Sequence, residues 1–181
     1  MALCSEGDPF AAALADCLRG LGLALDPAAT TLVLAAGDDA AAHALAHGGR
    51  GFVAIGDAAA RVLRASGRTV VATAPQHGRL VDGVPVEGTP STTMRPFKAM
   101  RYATLALAEG SGRAPAAAED DAWSACWLRD AAGAPLVLAR VAPPAVCFLI
   151  RPESLLSDPL ALELLRAAIS FAAGVSDFST S

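Results

Sequence analysis

The sequence predicts an α/β fold, an open and mostly parallel sheet flanked by helices. Three observations point there. Apolar strand-like runs alternate with helical patterns through the first half of the chain, as expected of parallel strands joined by crossover helices. Phe52–Ile55 is apolar at every position, as suits a strand covered on both faces. Residues 158–173 form a strongly amphipathic closing helix, able to cover one side of such a sheet.

The elements follow in order. Residues 1–5 suit a short strand. Asp8-Pro9-Phe10 opens a helix, with Asp8 as N-cap and Pro9 at the first helical position. Phe10, Leu14, Cys17, Leu18 and Leu21 recur at helical spacing, and Gly20 and Gly22 end the helix. Residues 31–35 are an apolar strand, followed by the loop Ala36-Gly37-Asp38-Asp39. Residues 40–47 form a helix closed by Gly48-Gly49. Phe52–Ile55 then runs into a sharp turn at Gly56 and the helix Asp57–Ala65, with Asp57 as its expected N-cap. Residues 69–74 are a further strand. Residues 75–95 are rich in Pro, Gly and Thr and predict turns and short hairpin strands. Strands are expected at 102–107 and 122–128, on either side of the polar stretch 109–121, and again at 135–141 and 145–149. Asp158 caps the last helix, with Pro159 at its first position.

At 181 residues the chain suits one domain with enough length to bury a core. We assign 1–175 to that domain and 176–181 to a loose C-terminal tail. No internal repeat and no long linker divides it.

Composition narrows the function classes. A formal charge of −4 and a single lysine, Lys98, leave no dense basic surface for nucleic acid. The longest apolar run is too short and broken to span a bilayer, so no membrane partner is expected. Residues 1–20 lack a basic n-region and carry Glu6, Asp8 and Asp16, so they do not read as a signal peptide. Cys4, Cys17, Cys126 and Cys147 form no C-x-x-C pair and sit in apolar neighbourhoods, which predicts buried structural thiols and a cytoplasmic location. His43 and His47 have metal-capable spacing, but no third ligand is near, so they read as a solvated helix face. The carboxylate pairs Asp38/Asp39 and Asp120/Asp121 read as solvated loops. Trp123 and Trp127, four apart in an expected strand, should face one side. No metal and no cofactor is expected.

Five ordered segments carry a family resemblance. Asp8-Pro9-Phe10 sits where the family has D-S-F. Residues 51–64 give a strand, a turn and a helix around Gly56, where the family has G-[IV]-C-x-G-x-Q. His77-Gly78-Arg79 stands for H-G-K, and the ten residues from Pro96 to Leu105 stand for P-F-x-A-x-R-Y-H-S-L. Residues 151–156, from Arg151 to Leu156, stand for H-P-E-S-[IL]-L. The chain therefore resembles class I glutamine amidotransferases, with their flavodoxin-like sheet, and most of all the glutaminase subunit of anthranilate and aminodeoxychorismate synthases. The Pro96–Leu105 match is the most specific, because other amidotransferase subfamilies do not share it.

In that family a cysteine at the turn attacks the glutamine carboxamide, a histidine moves the proton, and a glutamate orients the histidine. Backbone N–H groups of a Gly-rich loop hold the oxyanion. The resemblance places Gly56 at the nucleophile, Arg151 at the base and Glu153 at the orienting carboxylate. Glycine has no nucleophile, and an arginine cannot be deprotonated in a protein. The oxyanion loop P-G-P-G becomes Ala36-Gly37-Asp38-Asp39, and its two carboxylates would repel an oxyanion. Ala58 replaces the small glycine after the turn. Ala60 replaces the substrate-binding glutamine, and Ala103, beside Thr104, replaces the histidine of Y-H-S-L. Gly37, Asp38, Asp57, Ala60, Ala103 and Thr104 are thus expected around a relic pocket. Arg151 should pair with Glu153 or with Asp57, and His77 should be a loop residue rather than a catalyst.

The resemblance implies a pseudo-glutaminase that binds and stabilises or regulates a chorismate-utilising synthase. Phe97, Met100, Arg101 and Tyr102 are the expected partner contacts, with Phe97, Met100 and Tyr102 forming a partly exposed apolar patch. The alternatives are a self-associating scaffold or small-molecule sensor on the same fold, or a different enzyme using Asp57, Glu153 and Arg151. A homo-oligomer is compatible with each.

Overall fold

The computed structural model describes residues 1–5, 7–90, 95–108, 123 and 125–174. The expected polar stretch 109–121 and the expected tail 176–181 lie outside them. Among the described residues twelve elements follow in the order β1 (Ala2–Cys4), α1 (Ala11–Gly20), β2 (Leu32–Leu34), α2 (Asp39–His47), β3 (Phe52–Ile55), α3 (Asp57–Ala65), β4 (Val70–Pro85), β5 (Phe97–Leu107), β6 (Ala125–Asp130), β7 (Pro135–Arg140), β8 (Ala145–Phe148) and α4 (Pro159–Ala172).

The strands form one sheet of eight, ordered β1-β2-β3-β8-β7-β6-β4-β5. β1, β2, β3 and β8 run parallel, and β7, β6, β4 and β5 extend the sheet with antiparallel pairs. Both faces are covered. Val53 and Ile55 of β3 face a core built with Leu14 and Leu18 of α1 and Leu164 and Leu165 of α4. Phe52 and Ala54, the alternate positions, face Ala42 and Leu45 of α2 and Val62 and Leu63 of α3. All four residues of β3 are fully buried, which is why its sequence shows no polar alternation. The fold class expected from the sequence is the one observed.

Several local expectations change. β4 continues unbroken to Pro85 instead of breaking into turns after residue 74, because β5 pairs with it along its length. Two register shifts, between Ala72 and Gln76 and between Gln76 and Arg79, absorb the Pro and Gly residues that suggested turns. α1 begins at Ala11, with Phe10 as its N-cap and no side-chain cap. Asp8 reaches only the Phe10 N–H, at 3.2 Å, because its carboxylate is engaged elsewhere. Asp158 does cap α4, accepting from Leu160 N at 3.0 Å, with Pro159 in the first turn.

Trp123 and Trp127 face opposite sides of the sheet. Trp127 packs edge-on against Phe171 of α4, and Trp123 packs against Phe52. Alternation fails because β6 starts at Ala125, after Trp123, and its register slips between Cys126 and Leu128. The cysteines also differ from expectation: only Cys147 is fully buried, Cys17 and Cys126 are partly buried, and Cys4 is exposed. Among the described residues no helix is long and apolar enough to cross a membrane.

Candidate functional site

The C-terminal edge of the parallel strands gathers the residues singled out by the sequence. β3 ends at Ile55, and the next residue, Gly56, donates its N–H to Phe148 O on β8 at 2.8 Å. The chain then turns at once into α3. This turn demands φ +64° and ψ −133° at Gly56, a region open to glycine and strained for any L side chain. Beyond β8 the chain reaches Arg151, whose backbone N–H donates to Met100 O on β5 at 2.7 Å. That bond fixes where the Arg151 side chain starts.

The guanidinium lies across the Gly56 turn. A Cβ built on Gly56 would stand 3.1 Å from Arg151 Nε and 3.4 Å from Cζ. Nη1 and Nη2 donate to the two oxygens of Asp8 at 2.7 and 2.9 Å, a bidentate fork. Nη1 also donates to Glu153 Oε1 at 3.0 Å. The Asp8 and Glu153 side chains are 1% and 0% exposed, so this is a buried cluster, whose ions are desolvated, and not a surface ion pair. The Phe10 ring lies under the guanidinium, 4.9 Å from Cζ to its centroid, and Tyr102 packs edge-on against Phe10 at 4.8 Å.

The expected Arg151–Glu153 pair therefore forms, and Asp57 is not its partner. Asp57 is the first residue of α3, not its cap, and points to β5. It accepts from Thr104 N at 3.0 Å, from Leu105 N at 3.2 Å and from the Thr104 hydroxyl. Asp8 is the partner that sequence reasoning missed. A capping motif before a helix looked like a sufficient role, although Asp8-Pro9-Phe10 follows β1 and so arrives at the same sheet edge.

Two carboxylates share one guanidinium here, and one oxygen is left over. Glu153 Oε2 and Arg151 Nε are buried without a hydrogen-bond partner. Burial pushes the Glu153 carboxyl above its ordinary range, and the Arg151 charge opposes this only in part. For Arg151, burial favours losing the proton, but the Asp8 hydrogen bond and the Glu153 charge outweigh it and hold the guanidinium charged. Cys17 is a thiol in contact with this segment. Its Sγ donates to Glu153 O at 3.5 Å, and burial and the Glu153 charge both raise its pKa. That is the wrong direction for a thiolate nucleophile.

A cleft of about 570 Å³ remains beside the cluster, lined by Asp8, Gly37, Asp38, Asp57, Arg61 and Arg151, among others. Asp38 is the N-cap of α2, accepting from Ala41 N at 2.8 Å, and Arg61 pairs with Asp39 at 2.8 Å. Of the expected relic-pocket residues, Gly37, Asp38 and Asp57 line this cleft. Ala60 and Ala103 are buried away from it, and Thr104 reaches the site only through Asp57. His43 and His47 stack on the exposed side of α2, with His47 Nε2 at 3.1 Å from Ala65 O.

The expected apolar partner patch is not exposed. Phe97 and Met100 are 4% and 5% accessible, and Phe97 belongs to the core under α1 and α4. β5 presents Phe97 and Ala99 inward, and residues beyond Arg151 cover its outer edge. Met100 N donates to Ser157 Oγ, and Asp158 N donates to Lys98 O. Arg101 and Tyr102 are half-buried.

Compared by sequence, the chain matches no family model and no curated protein. Compared by structure, it is similar to a protein of Thermoplasma acidophilum described as a subunit of GMP synthase, with TM-score 0.73 and 13% identity over 96% of this chain and 93% of that one. A glutamine amidotransferase of Thermotoga maritima superposes with TM-score 0.62 and 9% identity over 94% and 96% of the two chains. A chain of PurLQS from Thermotoga maritima gives TM-score 0.59 and 11% identity over 94% and 96%. The chain thus has the class I glutamine amidotransferase fold.

Proposed function

We propose that this protein is a pseudo-glutaminase, a non-catalytic subunit that stabilises or regulates a chorismate-utilising synthase of the anthranilate or aminodeoxychorismate type in the cytoplasm. The observation that carries the first half is the Arg151 guanidinium, 3.1 Å from where a side chain on Gly56 would begin and held by Asp8 and Glu153. A carboxamide cannot approach a nucleophile there, because the turn has none and a locked cation fills the space. The likeness of residues 96–105 to the synthase-associated subunits supports the second half. With Phe97 and Met100 in the core, the contact surface contracts to Arg101, Tyr102 and the neighbouring Leu155 and Leu156, which are 99% and 60% exposed.

Two measurements test this reading. Purified protein should release no ammonia from glutamine above background and should resist labelling by electrophilic glutamine analogues. Ammonia release that disappears in Glu153→Ala would overturn the inactive assignment. Co-expression with a candidate synthase should yield a complex that Leu155→Asp weakens, and a synthase that runs separately in both cases would remove the partnership.

A further inference from the structure

The two register shifts in β4 have a consequence outside the relic site. They bring Arg79 directly opposite Arg101 of β5 as a cross-strand pair, with Gln76 opposite Ala103. Paired residues of antiparallel strands share a face, and positions 101 and 103 lie on the same face. Arg79, Arg101 and Gln76 therefore form one polar group. Like charges set directly opposite repel, and no carboxylate among the described residues lies within ion-pair distance of either. Neither guanidinium has a hydrogen bond or ion pair among the described residues, whereas those of the buried Arg140 and Arg151 each make at least two hydrogen bonds.

Buried polar atoms mark the same place. Arg101 Nε and Gln76 Oε1 are buried and unpartnered, and so is Thr73 Oγ1, three residues before Gln76. Unsatisfied buried groups are uncommon in native proteins, and a group of them on neighbouring strands signals something that completes them. Arg101 is half-buried and Arg79 is exposed, so one guanidinium forms a floor and the other is reachable from solvent. Burial disfavours the charged form of Arg101. Asp130 and Asp57 lean the other way from beyond ion-pair distance, and Arg79 adds to the penalty. Asp57 is already engaged with Thr104 and Leu105.

We propose that Arg79 and Arg101 form a binding site for a small oxyanion, a carboxylate or phosphoryl group held between the two guanidiniums. Such a group offers at least two acceptor oxygens in the geometry that guanidinium forks match, and its charge turns the cross-strand repulsion into a bridge. Gln76 can add a donor through its side-chain NH2, while its carbonyl oxygen, an acceptor, is not a ligand for the anion. The site lies on the β4–β5 hairpin and does not depend on the pseudo-glutaminase reading.

Thermal melting tests it, using inorganic phosphate and malonate as probes against chloride at matched ionic strength. Saturating probe should raise the Tm of the wild type by about 3–8 °C. Arg79→Gln, at an exposed position that tolerates the change, should lose that rise. In chloride alone Arg79→Gln should melt no lower than wild type, because it removes a repulsion. Arg101→Gln should also be insensitive, and Arg79→Gln keeps the test open if Arg101→Gln fails to fold. A response to phosphate alone assigns a phosphoryl ligand, and a response to malonate alone assigns a carboxylate. Equal responses in wild type and Arg79→Gln, or no response to either probe, would overturn the proposal.

Discussion

Arg151 Nε lies 3.1 Å from the point where a Cβ on Gly56 would project. The two residues are one substitution in physical terms. The guanidinium can lie over the turn because position 56 has no side chain. Glycine in turn relaxes a backbone that sits at φ +64°.

Gly56→Ala should therefore cost about 1–3 kcal/mol in urea unfolding, from backbone strain and from crowding of Arg151. Gly56→Cys should behave alike and gain no glutaminase activity. In the Arg151→Ala background the crowding part should vanish, so a double-mutant cycle should show coupling between the two positions. Strict additivity would mean that Arg151 does not touch the turn.

Glu153 sets a pH dependence. Its folded pKa is raised above the ordinary value of 4.5, first by burial and against the pull of Arg151. The folded state then holds that proton more tightly than the unfolded chain does. The resulting stabilisation is complete below the unfolded pKa and is lost as pH rises through the folded value. Glu153→Gln, which has no proton to lose, should flatten the stability-versus-pH curve on the neutral side of 4.5. An unchanged slope would assign the dependence to other groups.

Asp57 joins α3 to β5 through three hydrogen bonds. Asp57→Ala should cost about 1–3 kcal/mol, because it leaves the Thr104 and Leu105 amides without their acceptor. Hydrogen exchange should show lost protection at those two amides while β3 stays protected. Uniform loss across the sheet would point to global destabilisation instead.

Phe97→Asp should unfold the domain. It would place a carboxylate in the core beside α1 and α4, where burial of an unpaired charge costs several kcal/mol. Circular dichroism should lose its native signal. A native spectrum would return Phe97 to the surface and revive it as a partner contact.

Element type was legible where local chemistry and tertiary context agree. β3 and α3 match the sequence reading residue for residue, because an uninterrupted apolar run and an amphipathic helix admit one arrangement in a doubly covered sheet. The Gly56 turn and the Arg151–Glu153 pair were legible from motif positions and a two-residue spacing. β4 was not, since Pro and Gly that usually break strands are here absorbed by register shifts opposite a long partner. Asp8 was misassigned because a capping carboxylate and a buried ion-pair carboxylate share one local pattern. Phe97 and Met100 read as surface because the residues that cover β5 follow Arg151 and lie far along the chain.

The Asp8–Arg151 contact joins positions 143 apart in sequence. Few contacts in a chain of 181 residues close a longer loop, and loop-closure entropy must be met before such a contact rewards it. The arginine cannot find its carboxylate until β1 and its following turn have docked and the segment after β8 has crossed to β5. The cluster thus acts as a latch, set once both ends of the chain are in place. A contact made that late belongs to the unfolding limb, so Arg151→Ala, which strands two buried carboxylates, should speed unfolding more than it slows folding. At the C-terminal edge of the sheet, a contact between the two ends of the chain would thereby govern how long the fold persists.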